Sequence, residues 1–138
     1  MIDVNAHVEA LVAALAARGV RVYESGAGQK VDGSVEKPVA PYVVLYVDGG
    51  VRSSESVAAA MDERAEFDVD AYSVGKSPRS ARSVRSDLLA LVGAELAVDG
   101  RLVRVGSVFS DAIKPDRDDP RAALFEGRDG LTVVSLKA

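Results

Sequence analysis

The stretch "ERAEFDVDAYSV" (63–74) constrains this chain more than any other. Its middle alternates strictly, with Phe67, Val69 and Ala71 facing one way and Glu66, Asp68 and Asp70 the other. Successive side chains of a strand point to opposite faces, so this pattern makes a strand with one apolar and one acidic face. The apolar face has to be covered by another layer, either helices or a second sheet. The sequence supplies helices.

Residues 3–18 carry Val4, Val8, Leu11 and Leu15 at steps of four, three and four, which is one apolar helical stripe. Asp3 or Asn5 can cap its start, and Gly19 stands where a helix ends. Residues 77–96 read as a second helix. Ser77 is placed as its N-cap, Pro78 at its first turn, and Ala81, Val84, Leu88, Leu91 and Val92 on its buried side. "VRVYE" (20–24) is a short alternating strand. "YVVLYV" (42–47) is a continuous apolar run rich in β-branched residues, expected as a central buried strand. "DG" at 99–100 turns the chain into the strand "RLVRVGSVFS" (101–110). "ALFEGRDGLTVVSL" (123–136) is a last strand bulged near Gly127 and Gly130, or a hairpin. Residues 51–61 fit a loop or a short helical turn.

The order α-β-β-β-α-β-β predicts an α+β domain. Its mostly antiparallel sheet of about five strands has two helices packed on one face. A length of 138 residues suits a single domain over 1–138, with a long flexible loop at 24–41. Hydrophobic residues make up 48% and aromatics 5%, so the core is built from Val, Leu and Ala.

Several chemistries are excluded early. With no Cys there are no disulfides, thiolate zinc sites or cysteine nucleophiles. The single histidine, His7, rules out a histidine metal cluster within one chain, and it is expected as a partly exposed residue of the first helix. No apolar run reaches membrane-spanning length, and no basic-then-apolar leader opens the chain, so a soluble protein without a cleaved signal is expected. A net charge of −4 argues against general nucleic-acid binding.

The glycine-rich loop looks like a phosphate cradle, but Gly26, Gly28 and Lys30 give G-x-G-x-K with no Ser or Thr after the lysine and no helix following. It reads instead as an arm that docks on a partner, built around Gly26, Gly28, Lys30, Asp32 and Gly33. Alternate residues on a strand lie roughly 6.5–7 Å apart. Glu66, Asp68 and Asp70 therefore offer a solvated acidic face, a cation site if another element adds oxygens, or the lining of a pore that repels a polyanion. Arg79, Arg82 and Arg85 share a helix face that is either solvated or touches a neighbouring subunit. The aspartates 116, 118 and 119 lack the spacing of a calcium loop and read as a solvated turn. No catalytic, cofactor-binding or metal residue is identified.

The order and spacing of "VRVYESG", "PYVVLYVDGGVRSS", "ERAEFDVDAYSVGKSPRSARSVRSDLLALV", "LAVDGRLVRVGSV" and "DRDDPRAALFEGRDGLTVVSL" resemble the tail terminators of long-tailed bacteriophages, especially those of GC-rich actinobacterial hosts. The resemblance covers most of residues 3–136. It departs from the family in the length of the glycine-rich loop and at Gly127 to Gly130, where the family would have an unbroken strand.

The resemblance implies a non-enzymatic virion protein without a cofactor. Such a protein forms a ring, generally hexameric, on the head-proximal end of the tail tube. It ends tube polymerisation and presents a surface to the head-completion (stopper) protein, while DNA passes through the lumen without specific binding and no membrane is involved. Within that picture Glu66, Asp68 and Asp70 would line the lumen, and Arg79, Arg82 and Arg85 would meet the adjacent subunit. The alternatives are another neck or tail-completion component, a small α+β ligand-binding regulatory domain, and an enzyme using the acidic strand with a divalent metal.

Overall fold

A computed structural model describes residues 2–47, 50–53, 64–115 and 124–137. Most of the ambiguous stretch 51–61 and the aspartates 116, 118 and 119 lie outside the described residues. Helix α1 (Val4–Ala17) starts as expected, with the Asp3 carboxylate accepting from the Ala6 N–H at 3.2 Å. It ends with Gly19 N–H and Val20 N–H donating back to the Ala16 and Leu15 carbonyls. Helix α2 (Pro78–Leu89) is capped by the Ser77 hydroxyl, which accepts from the Ser80 N–H.

The strands are β1 (Val22–Glu24), β2 (Tyr42–Val47), β3 (Arg52–Ser53), β4 (Arg64–Gly75), β5 (Glu95–Val98), β6 (Arg101–Ser110), β7 (Lys114–Pro115) and β8 (Phe125–Lys137). They form one sheet in the order β1-β2-β4-β8-β6-β5, with β3 beside β4 and β7 beside β8. Every pairing is antiparallel except β1 with β2. The α+β class and the mostly antiparallel sheet hold, but among the described residues the sheet has eight strands rather than about five.

Part of that difference comes from the end of the second helix, expected at residue 96 and found at Leu89. Gly93 N–H is drawn to the Val105 carbonyl at 3.1 Å, and Val92 bridges Val105. The chain is thereby captured by β6 and becomes edge strand β5, joined to β6 through the Asp99–Gly100 hairpin. Leu91 stays buried, whereas Val92, expected on the buried stripe, is exposed. The remaining surplus, β3 and β7, consists of two-residue strands too short to leave a periodic signature.

The glycines of the last strand correct a second expectation. β8 is neither bulged nor a hairpin; it pairs with β4 without a break from Phe125 to Leu136. The irregularity falls in its neighbour β6, between Ser107 and Phe109. Gly127 and Gly130 serve close approach instead. A Cβ at Gly127 would sit 2.2 Å from Arg85 Nη2, and one at Gly130 would sit 2.2 Å from Phe109 Cε1. Each glycine makes room for a side chain lying flat on the sheet, one on each face.

Phe67, Val69 and Ala71 of β4 face the helices and pack with Val8, Leu11 and Leu15 of α1 and with Val84 and Leu88 of α2. At roughly 25 cal/mol per Å² of apolar surface removed from water, each large side chain so buried contributes about 1.5–3 kcal/mol. His7 joins this core, which corrects its expected partial exposure: it is 1% exposed. It lies one turn below Leu11, directly over the sheet. Its Nδ1 contacts the Asp3 carbonyl at 2.7 Å, its Nε2 meets Ser135 Oγ at 2.8 Å, and its ring stands edge-on to Phe67. The carbonyl can only accept, so Nδ1 carries a proton, and in the neutral ring Nε2 accepts from the Ser135 hydroxyl.

The loop between β1 and β2 owes its length to their parallel pairing. A chain that continues into a parallel neighbour has to travel back the whole strand length before it can pair.

Candidate interaction surfaces

Glu66, Asp68 and Asp70 stand together on the face of the sheet that the helices leave open, as the alternation requires. Each is half-buried and engaged. Asp70 accepts from Arg128 Nη2 at 2.8 Å, Asp68 from the Thr132 hydroxyl at 3.0 Å, and Glu66 lies 3.6 Å from Arg64. Arg128 also lies over the Phe109 ring, 5.1 Å from its centre. The acidic side chains of β4 are therefore engaged by Arg64 on their own strand and by Arg128 and Thr132 of β8, with Phe109 of β6 beneath Arg128. Asp70 raises the basicity of the Arg128 guanidinium, first through its hydrogen bond and then through its charge. No three His, Asp or Glu side chains converge on a common point among the described residues.

Beside the carboxylates runs an aromatic strip that sequence reasoning did not single out. Tyr23, Tyr42, Val44 and Val74 form a second, smaller core on this open face, and Tyr72 packs against it. Tyr23 stands edge-on to Tyr42, and Tyr46 edge-on to Tyr72. A shallow concavity of about 570 Å³ lies over Tyr42, Tyr46 and Tyr72, with Asp70 and Glu126 at its rim. The signal was present in "PYVVLYV" and "DAYSV": tyrosines at even spacing place their rings on a single side of a sheet.

The loop 25–41 is a folded object. Glu24 N–H donates to Gln29 O at 2.8 Å, Lys30 N–H to Ser34 O at 2.9 Å, and Glu36 N–H to Gly28 O at 2.9 Å. Asp32 closes an Asx turn by accepting from both the N–H and the hydroxyl of Ser34. Those two bonds, side chain first, hold its carboxyl below the ordinary range. Gly28 has φ +90°, and a Cβ there would lie 2.4 Å from the Glu36 carbonyl, so this crossing of the loop requires glycine.

Glu36 accepts from the Tyr23 hydroxyl at 2.8 Å and pairs with Lys30 at 3.2 Å. The tyrosine bond and then the lysine hold the Glu36 carboxyl low. In return, burial and then Glu36 raise the Tyr23 phenol. Of the five residues expected to form a docking arm, Lys30 and Asp32 are thus spent inside the loop, Gly28 forms its crossing and Gly26 accepts from the Gln29 N–H, while Gly33 is exposed at its tip.

The arginines of α2 divide. Arg79 and Arg82 are exposed. Arg85 turns inward: its Nε donates to the fully buried Asp129 carboxylate at 2.9 Å, and its Nη2 to the Asp111 carbonyl at 2.6 Å. Asp129 also accepts from the Ser110 hydroxyl. This cluster fastens α2 to β8 and to the end of β6. At the other end of β8, Ser135 accepts from Arg101 Nε at 2.7 Å while donating to His7, which fastens α1. Neither cluster announces itself in the sequence, because its members lie 19 to 128 positions apart.

No helix among the described residues is long and apolar enough to cross a membrane. The sequence matches no family model and no curated protein. Among solved structures, it is similar to a chain in the virion of a native gene transfer agent particle. The TM-score is 0.56 at 17% identity, over 91% of this chain and 84% of that one, so the two share a fold.

Proposed function

We propose that this chain is a structural protein of a tailed, phage-like virion and, within it, a tail terminator. As a terminator it forms a ring that caps the head-proximal end of the tail tube, stops tube growth and receives the head-completion protein. The observation that carries the reading is the fold shared, over nearly the whole length of both chains, with a component of a gene transfer agent virion. It agrees with the order of elements that resembles the terminator family.

The architecture suits a ring. An open sheet with two different edges favours head-to-tail contacts, and such contacts close when the rotation between copies divides a full turn. In this reading the helix-free face, with Glu66, Asp68 and Asp70, looks into the lumen. There the three half-buried carboxylates give DNA phosphates little to bind. In this reading the protein acts by assembly, and the buried His7–Ser135 pair serves the core.

The test is assembly of tails with and without the protein, seen by electron microscopy. Omission is expected to give tubes of uncontrolled length that do not join heads, and its addition to give a ring at one tube end. Tails of normal length in its absence, or a ring bound to the head alone, would remove the terminator role.

A further inference from the structure

The edge of the sheet opposite the loop is unfinished. Strand β5 covers β6 over Arg101–Arg104, and Gly93 reaches one residue further, to Val105. Beyond that point nothing among the described residues pairs with the outer side of β6. Val105 turns its carbonyl away from β8 to accept from Gly93, so Ser107, two positions on, turns its N–H and C=O the same way. These groups have no partner among the described residues.

The bulge that follows pushes Val108 outward to 65% exposure, and Val92 lies exposed where β5's approach ends. An unpaired, apolar-flanked edge of this kind is a template for one more strand.

The other end of the sheet carries a matching piece. Residues 35–40 are the last stretch of the loop, where Glu36 N–H is bound to Gly28 O and Arg21 Nη1 donates to the Val39 carbonyl; the backbone groups of Val35 and Lys37 point the other way, and Val35 and Val39 carry the most exposed large apolar side chains of that end. Pro38 and Pro41 bias the residues before them, Lys37 and Ala40, towards extended backbone. In the sheet order, β1 with its loop and β6 with its free edge lie on opposite sides, where head-to-tail neighbours meet.

We infer that the free edge of β6 at Gly106–Ser110 receives the extended segment Val35–Ala40 of a second copy of this chain, which adds as a strand and seats Val39 or Val35 against Val108. This rests on the ring reading above and names the contact that closes it.

The absence of cysteine makes the test direct. Cysteine is placed at Val108 together with one of Val35, Lys37 or Val39, in three double variants, and each is assembled on tube ends and oxidised. One of the three is expected to give a ladder of disulfide-linked copies reaching the size of the ring. Two further variants act on the edge alone. Ser107→Pro removes the outward donor, and Val108→Lys sets a charge on the edge; both are expected to abolish rings while circular dichroism stays that of the parent. Rings seen by microscopy with no cross-link in any of the three variants would overturn the edge contact and leave the ring reading standing. So would normal rings from both edge variants. Failure of the unaltered protein to form any ring on tubes would overturn both.

Discussion

The two faces of β4 use polar residues differently. Towards the helices, Asp129, Ser135 and His7 are fully enclosed, and the arginines that meet them, Arg85 and Arg101, are mostly covered. Each ties a helix to a particular register of β8. Towards the open side, the polar groups are many and half-exposed, as with Asp70 and Arg128, whose side chains keep 34% and 41% of their surface. A charge pair in water is screened and replaceable, whereas one shut in the core has nowhere else to go. One sheet thus has a face whose polar residues hold the fold and a face whose polar residues stay exposed enough to serve contact.

The sharpest way to break this comparison is to remove one carboxylate from each face. Asp129→Ala leaves the Arg85 guanidinium without its counter-charge beneath α2, and taking one partner from a buried pair costs about 3–5 kcal/mol. The loss should fall at the lower end, because Arg85 keeps its bond to the Asp111 carbonyl. Asp70→Asn, on the open face, should cost no more than about 1 kcal/mol. Urea unfolding of the two variants checks both, and equal losses would show that the faces do not differ in kind.

The glycines of β8 give a smaller version of the same contrast. Gly127→Ala presses a methyl group into Arg85, which cannot retreat without leaving Asp129; overpacking of this sort costs about 1–3 kcal/mol. Gly130→Ala presses into the Phe109 ring, which is partly exposed and can swing into solvent, so it should be the milder change. A thermal unfolding scan in which Gly130→Ala is the worse of the two would mean that the open face is the more rigidly packed one.

Much of this fold could be read from local pattern. The alternation of residues 66–71 assigned both faces of β4, the steps of four and three placed α1, and Ser77–Pro78 fixed the start of α2. What escaped depends on pairings distant in sequence. The end of α2 is decided by a β6 carbonyl, and the straightness of β8 by an arginine and a phenylalanine from other elements. His7 was misjudged because its burial comes from Ser135 and Phe67, far along the chain. The candidate surface was legible only as a list of charges. That Asp70 is met by Arg128 and Asp68 by Thr132, and that Arg85 leaves its helix face for Asp129, follows from the register of β4 with β8 and of α2 over it.

The smallest expected effect sharpens the comparison at the loop, where a half-exposed carboxylate on the open side does hold structure. The Tyr23 bond and Lys30 depress the Glu36 carboxyl. A depressed carboxyl contributes its stabilisation at pH values above the unfolded value of about 4.3 and loses it as the pH falls through the lower folded value. The loop should therefore be indifferent to pH around neutrality and loosen in acid, beginning below about pH 4. Asp32 is depressed as well, through Ser34, so its own acid response has to be separated. In Glu36→Gln, amide hydrogen exchange at residues 28–36 should lose the part of the acid response that belongs to Glu36 and keep the Asp32 part. The same variant removes one of the causes that raise the Tyr23 phenol, so Tyr23 should ionise at a lower pH, though still above about 10 because burial remains the larger cause. If Glu36→Gln leaves both the acid response and the Tyr23 titration where they were, the loop is held by its backbone bonds alone, and the open face has no polar residue that secures structure.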